Sequence, residues 1–200
     1  MNNGIILIGA GGHAKVIAEV IELSGGTVQQ MVDADRSITE VIGYPVTQEI
    51  PGGYPIIIAI GNNHLRKSVA EESKAELGTA IHPSANISKR SLIDKGSVVM
   101  AGVSINSGTT IGKHCIINTN ASVDHDCLIG DFVHISPNAA LAGNVMIGEG
   151  SHIGIGSSVI QGIHIGKWVT IGAGAVIIED IPDHAVVVGV PGKIIKYNKP

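Results

Sequence analysis

Residues 111–147 read IGKHCIINTNASVDHDCLIGDFVHISPNAALAGNVMI, and an aliphatic residue stands at every sixth place: Ile111, Ile117, Val123, Ile129, Ile135, Leu141 and Ile147. The register runs on in both directions. Upstream it passes through Ile105, Val99, Ile93 and Ile87 to Ile81. Downstream it passes through Ile153, Val159, Ile165 and Ile171 to Ile177, so 17 aliphatic residues keep one period before Asp183 breaks it. Four residues after each comes a small or aliphatic side chain, among them Ser97, Val103, Thr109, Cys115, Ala121 and Cys127. Repetition at a fixed short period marks a solenoid, in which each repeat buries its apolar side only against its neighbours.

A hexad has room for one short strand and one turn. Three hexads close a triangular coil, and stacked coils pair edge to edge at about 4.8 Å. A column of glycines supports a coil of 18 residues: Gly112, Gly130, Gly148 and Gly166 recur at that interval. Glycine accepts positive φ at little cost, so these positions are expected to form the corners. A prism lined by Ile, Val and Ala is too narrow for rings. That agrees with a chain that is 44% hydrophobic but only 2% aromatic. Residues 81 to about 181 make between five and six coils.

The rest of the composition narrows the class of protein. The net charge is −4, with no long run of Lys or Arg, which argues against nucleic acid or an anionic membrane as partner. No apolar run approaches the ~18 residues of a membrane span. The opening MNNGIILIGAGG lacks a basic leader region, so no signal peptide is expected. Two cysteines do not make a disulfide framework, and a reducing compartment follows. A soluble cytoplasmic protein is expected.

Before the repeat, IILIGAGGHAKVIAEVIELSGG reads as a strand (Ile5–Ile8), a Gly-rich turn and a helix from about Gly12 to Ser24. TVQQMVDAD is a second strand ending at Asp33, and YPIIIAIGNN a third ending at Gly61. NHLRKSVAEESKAELG is an amphipathic helix with Asn62 or Asn63 as N-cap and Gly78 as its stop. The order β-α-β-loop-β-α is half of a dinucleotide-binding fold. Gly9-Ala-Gly-Gly-His-Ala14 follows a strand and opens a helix, as a phosphate-binding turn requires, and Asp33 closes the next strand. About 78 residues suffice for a mononucleotide half, so a nucleotide diphosphate fits better than NAD. The expected organisation is therefore a Rossmann-like nucleotide-sugar-binding domain at 1–78 and a β-helix domain with a C-terminal cap at 79–200.

Chemistry concentrates in SVDHDCL, residues 122–128. Val123 and Cys127 belong to the inward positions. His125 lies outside the prism, with Gly143 stacked over it one coil on, leaving open space above the imidazole. A carboxylate on one ring nitrogen fixes the tautomer and raises the basicity of the other. Either Asp124 or Asp126 can fill that role. His134 and His152 stack in consecutive coils. Cys115 and Cys127 point inward and make poor nucleophiles, and no serine carries a nucleophile-elbow motif.

IGAGGHAKV, AIGNN followed by a helix and HPSA (His82–Ala85), and NTNASVDHDCLIGDFVHISPNAALAGNV occur together. In that combination, across essentially the whole chain, the sequence resembles bacterial sugar acetyltransferases of the hexapeptide class. The class takes in the sialic-acid O-acetyltransferase NeuD type and the nucleotide-sugar 4-amino N-acetyltransferases. The resemblance implies a left-handed parallel β-helix and a homotrimer with sites between neighbouring prisms. It implies His125 as general base with Asp126 raising its basicity, a place where relatives often have Glu. It implies a nucleotide-linked amino sugar held by Gly11, Gly12, His13, Asp33, Gly61 and Asn118. It implies acetyl-CoA along His134, Gly143, Ile155 and Ala173, the last two being 18 apart. No metal is expected, because no two of the nine histidines are five apart, the spacing used by zinc-binding relatives of this β-helix. Lys193, in GVPGKIIK, stands where the C-terminal signature of the class lies; contact with CoA phosphates and a plain helix-start lysine are both open. The implied reaction is direct transfer of acetyl from acetyl-CoA to the 4-amino group of a sugar nucleotide, UDP favoured, in bacterial polysaccharide biosynthesis. O-acetylation of a sialic acid or another sugar, and a non-catalytic nucleotide-sugar-binding protein, are the alternatives.

Overall fold

The computed structural model describes residues 4–198, so the outer ends of the two expected segments lie outside it. The first unit is a sheet with the order β3-β4-β2-β1-β5, built from β1 (Gly4–Ile8), β2 (Thr27–Val32), β3 (Glu40–Val41), β4 (Tyr44–Thr47) and β5 (Ile56–Ile58). All neighbours are parallel except the β3–β4 hairpin. The hairpin occupies the stretch expected to be loop, and Val46 extends the sheet by pairing with Met31 of β2. Helix α1 (Gly12–Leu23) places Ala14, Ile17, Ala18 and Ile21 on the face that joins the sheet to the solenoid. Helix α2 (Asn63–Glu72) covers the other face of the sheet with Val69 and Ala70.

The N-cap of α2 is Asn62, whose side chain accepts from Leu65 N–H at 3.0 Å. The helix stops at Glu72, well short of Gly78. The segment beyond it is captured by the sheet instead: Leu77 forms a parallel bridge with Ile56, and Gly78 N–H donates to the Ile56 carbonyl. Sheet pairing of that backbone outweighs the helix propensity of KAEL. The third strand likewise ends at Ile58 rather than Gly61, which frees Ile60–Asn62 as a loop.

From Ala80 the chain winds into a parallel three-sided solenoid. Between Ala80 and Ile177 every registered strand pair is 18 residues apart, as in Ser104↔Ser122 and His134↔His152. The first face starts at Ala80, the second at Asn86 and the third at Leu92. The first face is extended past the coils by Ala185–Val188 and, antiparallel to it, Lys193–Tyr197. Lys193 therefore opens a strand, not a helix.

The hexad positions supply the core. Ile105, Ile117, Val123, Ile135, Ile153 and Ile171 are nearly or fully buried, and each such side chain contributes about 1.5–3 kcal/mol. The small inward positions complete it. Ser97, Thr109 and Ser151 are buried there without penalty, because each hydroxyl bonds twice. Ser151 Oγ donates to Gly166 O at 2.7 Å and accepts from Val169 N–H at 2.9 Å, and the other two repeat the pattern.

The glycine column has a different cause from the one expected. Gly130 and Gly148 are not at positive φ; a Cβ there would lie 2.6–2.8 Å from backbone atoms of the next coil. The left-handed corner position falls at the third residue after each aliphatic one. Gly108 and Gly162 hold it in some coils and Asn120, Asp126, Asn138 and Asn144 in others.

Candidate active site

The first face and its edge with the third face carry the N-terminal unit. Val98, Met100 and Ile116 pack into the core shared with α1. Asn63 donates to Gly150 O at 2.9 Å, Lys67 pairs with Glu149, and His64 stacks on Trp168 with ring centroids 4.1 Å apart. The single Trp and the single Phe thus lie outside the prism, where the two units meet. The edge between the second and third faces is opposite this junction, and His125 stands on it.

His125 is exposed. Its Nδ1 lies 2.8 Å from Asp126 Oδ2, and that carboxylate holds the imidazole above its ordinary pKa. With Nδ1–H donating, Nε2 carries the free lone pair. Asp126 reaches the ring because it sits at φ +58, which turns its side chain back along the corner. Asp124 does something else. Its Oδ1 accepts from His125 N–H at 2.8 Å and from Asn106 Nδ2 at 2.7 Å, fixing the backbone that bears the imidazole. The space over Gly143 is not open: a Cβ there would lie 2.6 Å from both Cε1 and Nε2 of His125. The ring packs against the glycine and takes its position from it.

The nucleotide-loop residues gather on the other side. Gly11 caps α1, Gly12 begins it, and a Cβ at either would meet nothing within 4 Å. Asp33 is committed to this loop, Oδ2 accepting from Ala10 N–H at 2.8 Å and Oδ1 from Asp35 N–H at 3.0 Å. His13 is pushed down to about 4 by burial and by Arg66, and its Nε2 is buried without a hydrogen-bond partner among the described residues. Asn118 Nδ2 lies 3.1 Å from His134 Nε2, and His134 stacks on His152 at 4.7 Å. Burial, then the neighbouring His152 and Arg66, pushes His134 down to about 3 against the raising effect of the Gly61 backbone, and its buried Nδ1 has no partner within hydrogen-bond distance among the described residues. Ser136 Oγ meets His152 Nε2 at 2.7 Å.

The expected residues therefore fall into three groups. Gly11, Gly12, His13, Asp33 and Gly61 lie on the N-terminal unit, with Asn118 and His134 on the prism face beneath it. His125, Asp126 and Gly143 lie on the far edge. Ile155 and Ala173, both exposed, lie on the edge between the first and second faces, where Gly174 N–H donates to Ile155 O. His134 thus lies on the first face beside Asn118, and Gly143 on the edge between the second and third faces. Between the two edges the second face presents Ser122, Ala140 and Ser158 in one row. Such a floor of small side chains fits an extended pantetheine arm.

Cys115 is fully buried and pushed up to about 12 by desolvation, and Cys127 is raised by the same cause. Neither is poised as a nucleophile. No cluster of three metal-ligating side chains occurs among the described residues, and no described helix is long and apolar enough to cross a membrane. Sequence reasoning missed Arg66, one of the most deeply buried side chains of the chain. It looks like any surface cation of an amphipathic helix.

Residues 4–73 match the PglD N-terminal domain model, and residues 108–143 and 144–179 match the bacterial transferase hexapeptide (six repeats) model. A histidine mutant of perosamine N-acetyltransferase from Caulobacter crescentus, solved in complex with CoA and GDP-perosamine, is 41% identical. It covers 96% of this chain and 97% of its own, with a TM-score of 0.93. The acetyltransferase domain of PglB from Neisseria gonorrhoeae, in complex with acetyl coenzyme A, is 42% identical. It covers 98% of this chain and 100% of its own, with a TM-score of 0.91. UDP-N-acetylbacillosamine N-acetyltransferase of Bacillus subtilis is 42% identical over 98 residues, which span 42% of this chain and 45% of that protein.

Proposed function

Because the chain belongs to the hexapeptide-repeat sugar N-acetyltransferases, we propose that it transfers acetyl from acetyl-CoA to the 4-amino group of a nucleotide-linked sugar, with His125 as general base. The observation that carries the reading is the His125–Asp126 pair at 2.8 Å against Gly143. Asp126 keeps the Nδ1 proton, so Nε2 accepts the proton of the attacking amine. The nitrogen lone pair forms a bond to the thioester carbonyl carbon, the C–S bond breaks, and the imidazolium returns the proton to the departing thiolate. General-base help of this kind is worth about 10²–10⁴-fold. Gly143 N–H has no acceptor among the described residues and is a candidate donor to the developing oxyanion.

The nucleotide is held by residues 1–78, over Gly11, Gly12, His13, Asp33 and Gly61, with Asn118 and His134 beneath. Acetyl-CoA runs past Gly143 and along Ile155 and Ala173 of the domain at 79–200. The nucleotide loop and His125 lie on opposite sides of one prism. A sugar held by one copy thus meets the His125 of a neighbour, and the working unit is a homotrimer. The exposed Leu92, Leu128 and Met146 on the third face, with Thr110 between the two leucines, supply apolar surface for that contact. Two free, buried cysteines agree with a cytoplasmic setting. A thiol-release assay with acetyl-CoA and a panel of UDP-, dTDP- and GDP-linked 4-amino sugars tests the proposal. CoA release with one of these, and acetyl found on nitrogen, is expected. Release only with sialic acid or another hydroxyl acceptor overturns it in favour of O-acetylation, and no release with any acceptor points to a binding module.

A further inference from the structure

Arg66 is 1% exposed, and no carboxylate pairs with it among the described residues. Burial pushes its guanidinium down to about 10. Its donors go almost wholly to backbone carbonyls. Nε reaches His114 O at 2.8 Å and Nη2 reaches Phe132 O at 2.9 Å, in successive coils of the prism. Nη1 reaches Ile60 O at 2.9 Å and Gly61 O at 3.2 Å, and Nη2 also meets Asn63 Oδ1 at 2.8 Å. A buried cation without a counter-ion is costly unless its geometry is used. A helix-to-prism clamp needs only the contacts to His114 and Phe132. The contacts to Ile60 and Gly61 do something further.

The Ile60–Gly61 and Gly61–Asn62 bonds are trans, and a trans peptide points its N–H away from its carbonyl. Drawing both carbonyls onto Arg66 turns the N–H groups of Gly61 and Asn62 away from it. Neither N–H has an acceptor among the described residues, and a Cβ at Gly61 would meet nothing within 4 Å. The segment follows β5, which runs parallel to and beside β1, so it lies at the same C-terminal end of the sheet as the Gly11–Gly12 turn. We propose that Arg66 is a positioning residue for the nucleotide: it holds the Gly61 and Asn62 N–H groups as a pair of donors to the diphosphate, opposite the Gly11–Gly12 turn, and ties that pair to the prism.

The inference rests on the nucleotide-sugar reading, and the wild-type assay separates the two. If the wild type releases no CoA with any sugar nucleotide and binds no nucleoside diphosphate, the functional reading fails first. Given an active wild type, Arg66→Lys and Arg66→Met are compared by steady-state kinetics and by calorimetry with UDP, dTDP and GDP. Arg66→Lys keeps a cation but not the fork. The nucleotide-sugar KM and the nucleoside diphosphate Kd should rise about tenfold or more, while the acetyl-CoA KM stays within about twofold. Equal effects on both substrates, or none on the nucleotide, would show a purely structural clamp. A second pair keeps the test decisive where Arg66 variants do not fold. Asn62 has φ −72, which proline adopts. Asn62→Pro deletes the N–H and the cap; Asn62→Ala deletes the cap alone. Weaker diphosphate binding in the proline variant than in the alanine variant is expected, and equal binding overturns the proposal.

Discussion

Gly143→Ala is the most informative small change the geometry offers. The added methyl carbon would lie 2.6 Å from His125 Cε1 and Nε2. Ordinary carbon contacts begin near 3.5 Å. The imidazole must therefore retreat by roughly 1 Å or swing to another rotamer, and either breaks its 2.8 Å contact with Asp126. A misplacement of that size costs about 10²-fold in rate when the displaced group acts at the reacting atoms. Gly143 is not at positive φ, so alanine adds no backbone strain. His125 is exposed and can move without disturbing the core. The expected variant folds normally, melts within a few degrees of the wild type, and loses about 100-fold in kcat in a thiol-release assay. A folded Gly143→Ala protein with kcat within about threefold of wild type would refute the reasoning that the glycine sets the imidazole.

Three further predictions follow from other contacts. Asp126 holds His125 above its ordinary pKa, and the base works only when neutral, so the rate rises with pH through that value. Asp126→Asn should move the acidic limb of the kcat/KM profile to lower pH while lowering the plateau; an unmoved limb would contradict the assignment. Ser151→Ala strands Gly166 C=O and Val169 N–H in the core, at a cost of roughly 2–4 kcal/mol by denaturant unfolding; a change below about 0.5 kcal/mol would show that the hydroxyl is not needed there. Gly12→Leu fills the open space at the nucleotide turn. Alone it should be inactive, as should His125→Ala, whereas co-assembly of the two should regain a substantial fraction of activity. No recovery in verified mixed oligomers would exclude a site shared between copies.

The solenoid was legible because its period is enforced by the prism itself: each inward place admits one narrow class of side chain, from Ile81 to Ile177. The cause of the Gly130 and Gly148 column was not legible, since close approach of the next coil and positive φ both select glycine. The α2 boundary was misread at Gly78 because the competing partner, Ile56 of β5, is distant in sequence. His125 could be singled out from its flanking aspartates and Gly143 one coil on. Which aspartate touches the ring depended on φ at the corner, which the sequence does not display. That the first unit sits over His134 and Asn118 could not be read from the sequence, because nothing in the hexads shows which prism face that unit covers. Arg66 was hidden for the same reason: its partners are carbonyls of Ile60, Gly61, His114 and Phe132, and carbonyls leave no mark in a sequence.

The most direct test of the account is the turnover of His125→Ala with acetyl-CoA and the acceptor identified for the wild type, measured alongside acetyl-CoA binding. The account predicts a fall in kcat of about 10²–10⁴-fold with acetyl-CoA affinity essentially unchanged. Turnover near that of the wild type would contradict it.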